Sequence, residues 1–381
     1  MKYCNNQARS RYAAVWHLLG ITFCFIWVYS ATARADVLIG QTIGVTGAVA
    51  STVQETIAGA QLYLAAVNEQ GGVHGEKIRL ITLDDKFDPK LAYANARELI
   101  EEQKVLALFL TRGTPHNEGI FPLLEQHRVA LIAPSTGAVV MRKPLKRYVF
   151  NVRAAYQLEA EKAVAHLVSV GFTRIGVVQV DDSFGADAVV GVNKGLATHK
   201  LQAEYMAKFD RSKPDFSQIA VEAAKRNLQA MLMLGSGTAI VDGIKAIKRA
   251  GSTAQFVTLS NNASEGFVKQ LGSSATGVIV TQVFPQSQSF ALVRELKKAA
   301  QAKGMEALSP AVVEGYTAAK VLVEALRRAG SNPTRKSVVT ALETLRNFDL
   351  GGLELNYSPD DHTGLGYTDL SIINADGRFS R

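Results

Sequence analysis

Four short segments of this chain set hydroxyl, glycine and charged residues directly after an apolar run. Leu110 leads into Thr111-Arg112-Gly113-Thr114-Pro115, and Ala133 leads into Pro134-Ser135-Thr136-Gly137. Val180 leads into Asp181-Asp182-Ser183-Phe184-Gly185, and Leu234 into Gly235-Ser236-Gly237-Thr238. Such segments suit the carboxyl ends of strands in an open α/β sheet, where hydroxyls and the free N–H groups of a starting helix favour an anion. Pro115 fits a first helical position and Thr114 its cap. One such loop alone is most simply a helix cap, but two in each half of the chain, facing a shared cleft, make a binding site.

Spacings that support catalysis are missing from the sequence. It has no G-x-x-x-x-G-K-[ST] phosphate loop, no H-E-x-x-H pair and no G-x-S-x-G nucleophile elbow. His74, His116, His127, His166, His199 and His362 are scattered, with no helical i, i+4 pairing, and read as surface or loop residues rather than metal ligands. Asp84-Asp85 and Asp181-Asp182 each follow a strand-like run. Neighbouring carboxylates point in different directions, which favours turn formation, helix capping or hinge bonding over an acid/base pair. Neither a cofactor nor a metal is expected.

The N-terminus reads as an export signal. Lys2, Arg9 and Arg11 form a basic flank with no acidic residue before Asp36, an apolar run spans Ala13 to Ala31, and Ala33-Arg34-Ala35 supplies small residues where a signal peptidase reads them. Cleavage after Ala35 is the expectation, and an uncleaved membrane anchor is the alternative. Cys24 follows Phe23, where a lipoprotein signal requires a small residue. Loss of residues 1–35 would remove both cysteines, Cys4 and Cys24, and take the net charge from +8 to +4. A thiolate site, a disulfide and a nucleic-acid partner are thereby disfavoured.

Apolar strand-like runs then alternate with helical patterns. Strands are expected at Val37–Val45, Lys77–Leu83, Val105–Leu110 and Val129–Ala133, with helices over Val53–Gln70, Pro89–Gln103 and from near Pro115. After an extended stretch near Tyr148–Arg153 the alternation restarts, with strands at Arg174–Val180, Ala203–Phe209, Ala230–Leu234, Gln255–Leu259 and Gly277–Thr281. Helices over Phe290–Lys303, Ala311–Arg328 and Lys336–Leu345 follow, and the tail from Gly352 to Phe379 reads as antiparallel strands. The chain exceeds what one hydrophobic core supports, so two lobes are expected.

Several pieces resemble a known family. They include Val67-Asn68-Glu69-Gln70-Gly71-Gly72-Val73-His74-Gly75, Asp84-Asp85-Lys86-Phe87-Asp88-Pro89, Ile132-Ala133-Pro134-Ser135, Asp181-Asp182-Ser183-Phe184-Gly185 and Tyr316-Thr317-Ala318-Ala319. Together they are similar to the leucine/isoleucine/valine-binding protein family of periplasmic receptors for ABC transporters. The resemblance implies an α/β, type I periplasmic binding protein fold with two doubly wound lobes joined by three hinge crossings. The crossings would fall near Asn151–Arg153, Thr281–Pro285 and Asn356–Pro359. The lobes would comprise residues 36–151 with 285–355, and 152–284 with 356–381.

Carried across position by position, the family's carboxylate clamp falls on Thr114, Ser135 and Thr136, and the aromatic after the paired aspartates falls on Phe184. The family's first-loop aromatic falls near Thr52 and a second-lobe aromatic near Ser236 or Gly237. The acidic partner of a ligand ammonium falls near Asn261, which is neutral. Arg112 has two readings, a clamp for an acid group or ring, or a solvated loop residue. The implied function is periplasmic capture, by a monomer, of a small carboxylate-bearing solute and its delivery to an ABC permease. The solute would be a branched-chain or related amino acid, or an organic or aromatic acid. A sensory receptor of the same fold is the alternative, and an enzyme is not expected.

Overall fold

Most strands of this chain are buried on both faces, so they read as unbroken apolar runs instead of alternating ones. In the computed structural model, which describes residues 36–305 and 308–380, all 6 residues of Ile175–Val180 and all 5 of Ala230–Leu234 are buried. The expected export signal lies outside the described residues. No described helix is long and apolar enough to cross a membrane.

The first half alternates β1 (Val37–Ile43), α1 (Ala50–Glu69), β2 (Ile78–Asp84), α2 (Pro89–Glu101), β3 (Ala107–Phe109), α3 (Thr114–His127), β4 (Ala130–Ile132) and β5 (Val149–Phe150). The second runs through α4 (Tyr156–Ser169), β6 (Ile175–Val180), α5 (Ser183–Thr198), β7 (Tyr205–Phe209), α6 (Ser217–Lys225), β8 (Ala230–Leu234), α7 (Thr238–Arg249), β9 (Gln255–Thr258), α8 (Glu265–Leu271) and β10 (Ile279–Gln282). The chain ends with α9 (Ala291–Ala302), α10 (Pro310–Ala329), α11 (Arg335–Glu343), β11 (Phe348–Asp349), β12 (Glu354–Leu355), β13 (Asp369–Ile373) and β14 (Phe379–Ser380).

The first sheet is parallel, in the order β2-β1-β3-β4-β5. The second has the order β14-β13-β10-β9-β8-β6-β7, and its antiparallel pairings are β10 with β13 and β13 with β14. Its five parallel strands repeat the winding of the first sheet, although the two halves share no visible sequence repeat. In each sheet the chain steps outward from the first strand to the second, then back across it to the third. The loops therefore diverge between β1 and β3, and between β6 and β8, which opens a crevice at the carboxyl ends of the strands. Each sheet has its own apolar core, one around Ile39, Leu108, Phe109 and Leu322, the other around Val177, Leu232, Ile240 and Phe256.

The tail departs from expectation between residues 356 and 368, where strands give way to a segment that follows the β5–α4 connection. Tyr357 Oη donates to the Asn151 carbonyl at 2.6 Å, Asn151 N donates to the His362 carbonyl at 3.0 Å, and Leu365 N to that of Val152 at 2.9 Å. These bonds satisfy backbone groups that would otherwise pair in a ladder. His362 is consequently a buried loop residue and not a surface one, and His116, buried in α3, is neither surface nor loop, which corrects the expectation for it.

Close contact between α1 and α10 depends on two glycines. A Cβ on Gly59 would lie 2.0 Å from the Val312 carbonyl oxygen, and one on Gly315 would lie 1.8 Å from that of Thr56. Gly315→Ala should therefore lower stability by about 1–3 kcal/mol, as overpacking does. Urea unfolding at neutral pH checks this, and an unchanged midpoint would mean that the helices separate without cost.

Candidate functional site

The loops after β3 and β4 run side by side beyond the ends of their strands. Ser135 N donates to the Thr111 carbonyl at 2.7 Å, extending the parallel pairing by one bridge between Arg112 and Ser135. Asn117 of α3 fixes the first loop: its Oδ1 accepts the Thr111 hydroxyl at 2.5 Å and its Nδ2 donates to the Gly113 carbonyl at 2.7 Å. Gly113, at φ 96°, leaves room for the His116 ring, whose Nδ1 would lie 2.3 Å from any Cβ there. This places Arg112, Thr114 and Ser135 on one wall.

That wall faces loops of the other sheet across a narrow cavity of about 10 Å³. Arg112, Gly113, Thr114, Ser135 and Phe87 line it from the first sheet, and Tyr156, Phe184, Arg211, Ser236 and Asn261 from the second. A wider outer cleft shares Phe87, Arg211 and Ser236 with it and opens past Asp88 and Pro214.

Arg112 is 3% exposed, which removes its reading as a solvated loop residue. Its Nη2 donates to the Asn261 carbonyl at 2.5 Å and its Nη1 lies 3.4 Å from Ser135 Oγ. No described carboxylate forms a salt bridge with it, and burial lowers its pKa. Ser135 in turn donates to Glu314 Oε1 at 2.9 Å, so its proton points away from the cavity. Its hydroxyl thus sits between the Arg112 guanidinium and the Glu314 carboxylate.

Thr114 differs slightly from expectation. It is the first residue of α3 and not a side-chain cap; Gly113 occupies the cap position. Its hydroxyl meets that of Thr136 at 2.8 Å. If Thr136 donates in that pair, Thr114 can direct its own proton, together with a helix-start N–H, at an anion in the cavity. Thr136 does not line the cavity and supports Thr114 from behind. Thr52 is not brought to the cavity either. Its hydroxyl bonds Ser264 Oγ at 2.8 Å, joining α1 to the cap of α8.

On the opposite wall, Asp182 caps α5 by accepting the Phe184 and Gly185 N–H groups at 2.9 and 3.2 Å, so that helix starts earlier than the sequence suggests. The same carboxylate binds Arg211 Nε at 2.5 Å, and the guanidinium lies 4.8 Å from the centre of the Phe87 ring. Phe184 packs edge-to-face on Tyr156 with centroids 4.7 Å apart. Asn261 Nδ2 donates to the Gly235 carbonyl and to Ser236 Oγ, each at 2.9 Å, while its buried Oδ1 has no protein partner.

Arg112, Thr114, Ser135, Phe184, Ser236 and Asn261 thus meet at one cavity. Phe87, Tyr156, Arg211 and Glu314 escaped the sequence reading. Arg211 follows strand β7, so the rule that found the other loops extends to it. Glu314 was visible as an acid on an otherwise apolar helix face. Tyr156 carried no distinguishing signal. Among the described residues no cluster of His, Cys, Asp or Glu could hold a metal ion.

A family model for periplasmic binding proteins matches residues 36–378. The chain belongs to that family. The Leu/Ile/Val-binding protein of Escherichia coli (strain K12) is 22% identical to it over 68% of this chain and 71% of its own length. An amino acid binding protein of Pseudomonas aeruginosa is 25% identical over 63% and 65%. Among solved structures, a substrate-binding periplasmic protein from Ralstonia solanacearum has a TM-score of 0.83 at 31% identity, covering 90% of this chain and 99% of that one. A branched chain amino acid ABC transporter from Thermus thermophilus with bound valine has a TM-score of 0.79 at 17% identity, covering 91% and 95%. This periplasmic binding protein has the type I, two-lobed fold that its loops imply, and its family consists of solute-binding proteins, not enzymes.

Two titratable groups flank Phe87 in the binding protein. Burial pushes His116, stacked on that ring at 4.5 Å, down to about 4. Burial pushes Asp85 up to about 6 from 3.8, although it accepts Phe87 N–H at 2.8 Å and the Thr42 hydroxyl at 3.1 Å. A raised folded-state pKa means that the stabilisation present below about pH 4 is lost as pH rises through about 6. His116 acts in the opposite sense over nearly the same range. Asp85→Asn should therefore gain about 2–3 kcal/mol over the native protein between about pH 4 and pH 7.5, measured by urea unfolding. A pH-independent difference would place the Asp85 carboxyl at its ordinary value.

Proposed function

We propose that this protein captures a small carboxylate-bearing solute between its lobes in the periplasm and presents it, as a monomer, to an ABC permease. The observation that carries this reading is Arg112, a buried cation on the cavity wall with no carboxylate partner, set beside the Thr114 hydroxyl and the start of α3. Isolated buried charges are costly, and a ligand carboxylate is the partner that a guanidinium and a helix N-terminus both favour. The relatives named for leucine, isoleucine and valine support a branched-chain or related amino acid as the solute. The neutral Asn261 supports an organic or aromatic acid. At about 10 Å³ the gap between the walls holds no more than a water, so the walls must part to admit a solute.

In this reading residues 36–151 with 285–355 and residues 152–284 with 356–381 are the moving lobes, and export ends with cleavage after Ala35. Closure is stabilised where the lobes touch. Arg112 donates to the Asn261 carbonyl, Thr238 N donates to that of Ala48 at 3.0 Å, and Ser183 Oγ to Glu118 at 2.5 Å. A solute that contacts both walls only when they meet shifts the population toward the closed form, which the permease would read.

Two substitutions test the site, with affinity for a carboxylate identified by thermal-shift screening as the readout. Thr114→Ala should weaken binding by about 1–3 kcal/mol, the value of a hydrogen bond to a charged group. Arg112→Met should abolish the ligand-induced rise in melting temperature, yet leave the ligand-free protein as stable as before or more so, because a buried charge without a carboxylate has been removed. Unchanged affinity in both variants would move the site elsewhere.

A further inference from the structure

We infer that the second polar group of the solute is a neutral hydroxyl and not an ammonium, so that the site takes a small hydroxylated carboxylic acid on an apolar skeleton. This rests on the carboxylate reading above and narrows it.

The charged groups lining the cavity are two guanidiniums, Arg112 from one sheet and Arg211 from the other, and no carboxylate lines it. The two carboxylates hydrogen-bonded to lining side chains are already engaged. Glu314 accepts the Ser135 proton and faces Arg153 Nη1 at 3.6 Å. Asp182 accepts two helix-start N–H groups and pairs with Arg211. An ammonium entering here would give up hydration and face the Arg112 guanidinium without a free countercharge, since Asp182 is already paired with Arg211.

Beside the hydroxyls of Thr114, Tyr156 and Ser236, which can both donate and accept, the lining offers one acceptor without a proton of its own, the buried Oδ1 of Asn261. The amide is oriented by two bonds from its Nδ2, to the Gly235 carbonyl and Ser236 Oγ, and its oxygen has no partner in the protein. One neutral acceptor matches the single donor of a hydroxyl, whereas an ammonium carries three donors and a full charge. Phe87, Phe184 and the ring of Tyr156 supply the apolar surface for the skeleton between the two polar ends. A branched aliphatic and a monocyclic aromatic skeleton both suit that surface.

The test is isothermal titration of the purified protein at neutral pH with four probes. Leucine and 2-hydroxy-4-methylpentanoate differ only in ammonium against hydroxyl, and 4-hydroxybenzoate and benzoate differ only in one hydroxyl. The better-bound skeleton should show a preference of about tenfold or more for its hydroxy acid over its partner compound. In Asn261→Asp, which supplies the missing charge with little change of shape, the ratio of hydroxy acid to leucine should fall about tenfold, with circular dichroism confirming the fold. Leucine bound more tightly than its hydroxy analogue would overturn the inference and leave carboxylate capture standing. No binding of any probe at millimolar concentration would overturn both.

Discussion

The structure depends on keeping Arg153, the largest fully buried side chain among the described residues, in charge balance. Its guanidinium binds Glu159 of α4 at 2.7 Å, the Ser260 hydroxyl after β9, and faces Glu314 of α10. Glu159 also accepts Ser260 N at 2.9 Å and the Thr281 hydroxyl. Removing either partner from such a group leaves an uncompensated buried charge, which costs several kcal/mol. One ionic cluster thus ties the segment leading into α4 and the end of β10 to a helix packed on the first sheet. Two connections between the sheets are constrained at a single point.

From there the constraint extends to the cavity. Glu314 accepts the Ser135 proton, Ser135 faces Arg112, and Arg112 reaches the Asn261 carbonyl on the opposite wall. Each bond fixes a donor direction for the next, so the polar geometry of the cavity is set by charges that do not line it. The Ser135 hydroxyl illustrates the consequence. Taken alone it is a plausible donor to a ligand, but with Glu314 behind it, its proton is committed and it becomes a support for the arginine.

Much of this was legible in the sequence where local rules apply. Double burial made the strands of both sheets visible as apolar runs, and the carboxyl-end rule located Arg112, Thr114, Ser135, Phe184 and Ser236. Legibility failed where partners lie far apart along the chain. The burial of Arg112 follows from the loop of Asn261, and the direction of the Ser135 proton from Glu314, neither of which spacing reveals. Phe87 adopts φ 61° after Asp85, where its ring stacks between His116 and Arg211, an arrangement assembled from two loops and the start of α3. The tail failed for a related reason, because residues 356–368 are held by side-chain and carbonyl partners around Asn151 rather than by a ladder whose alternation could be read.

The charge arrangement also supplies a reason for coupling between closure and binding. Bringing the walls together buries Arg112 against a carbonyl and a hydroxyl, which satisfy its hydrogen bonds but not its charge. That residual cost weighs against the closed arrangement, while Thr52 with Ser264 and Thr238 with Ala48 favour it. In the proposed capture an anion would remove that cost only when both walls are in place, since Asn261 and Phe184 on the second sheet line the same cavity. A solute can shift such an equilibrium only by its difference in affinity for the two forms, and in the proposed capture that difference would arise from one guanidinium. A full carboxylate partner for Arg112 within the protein would have made closure independent of the solute.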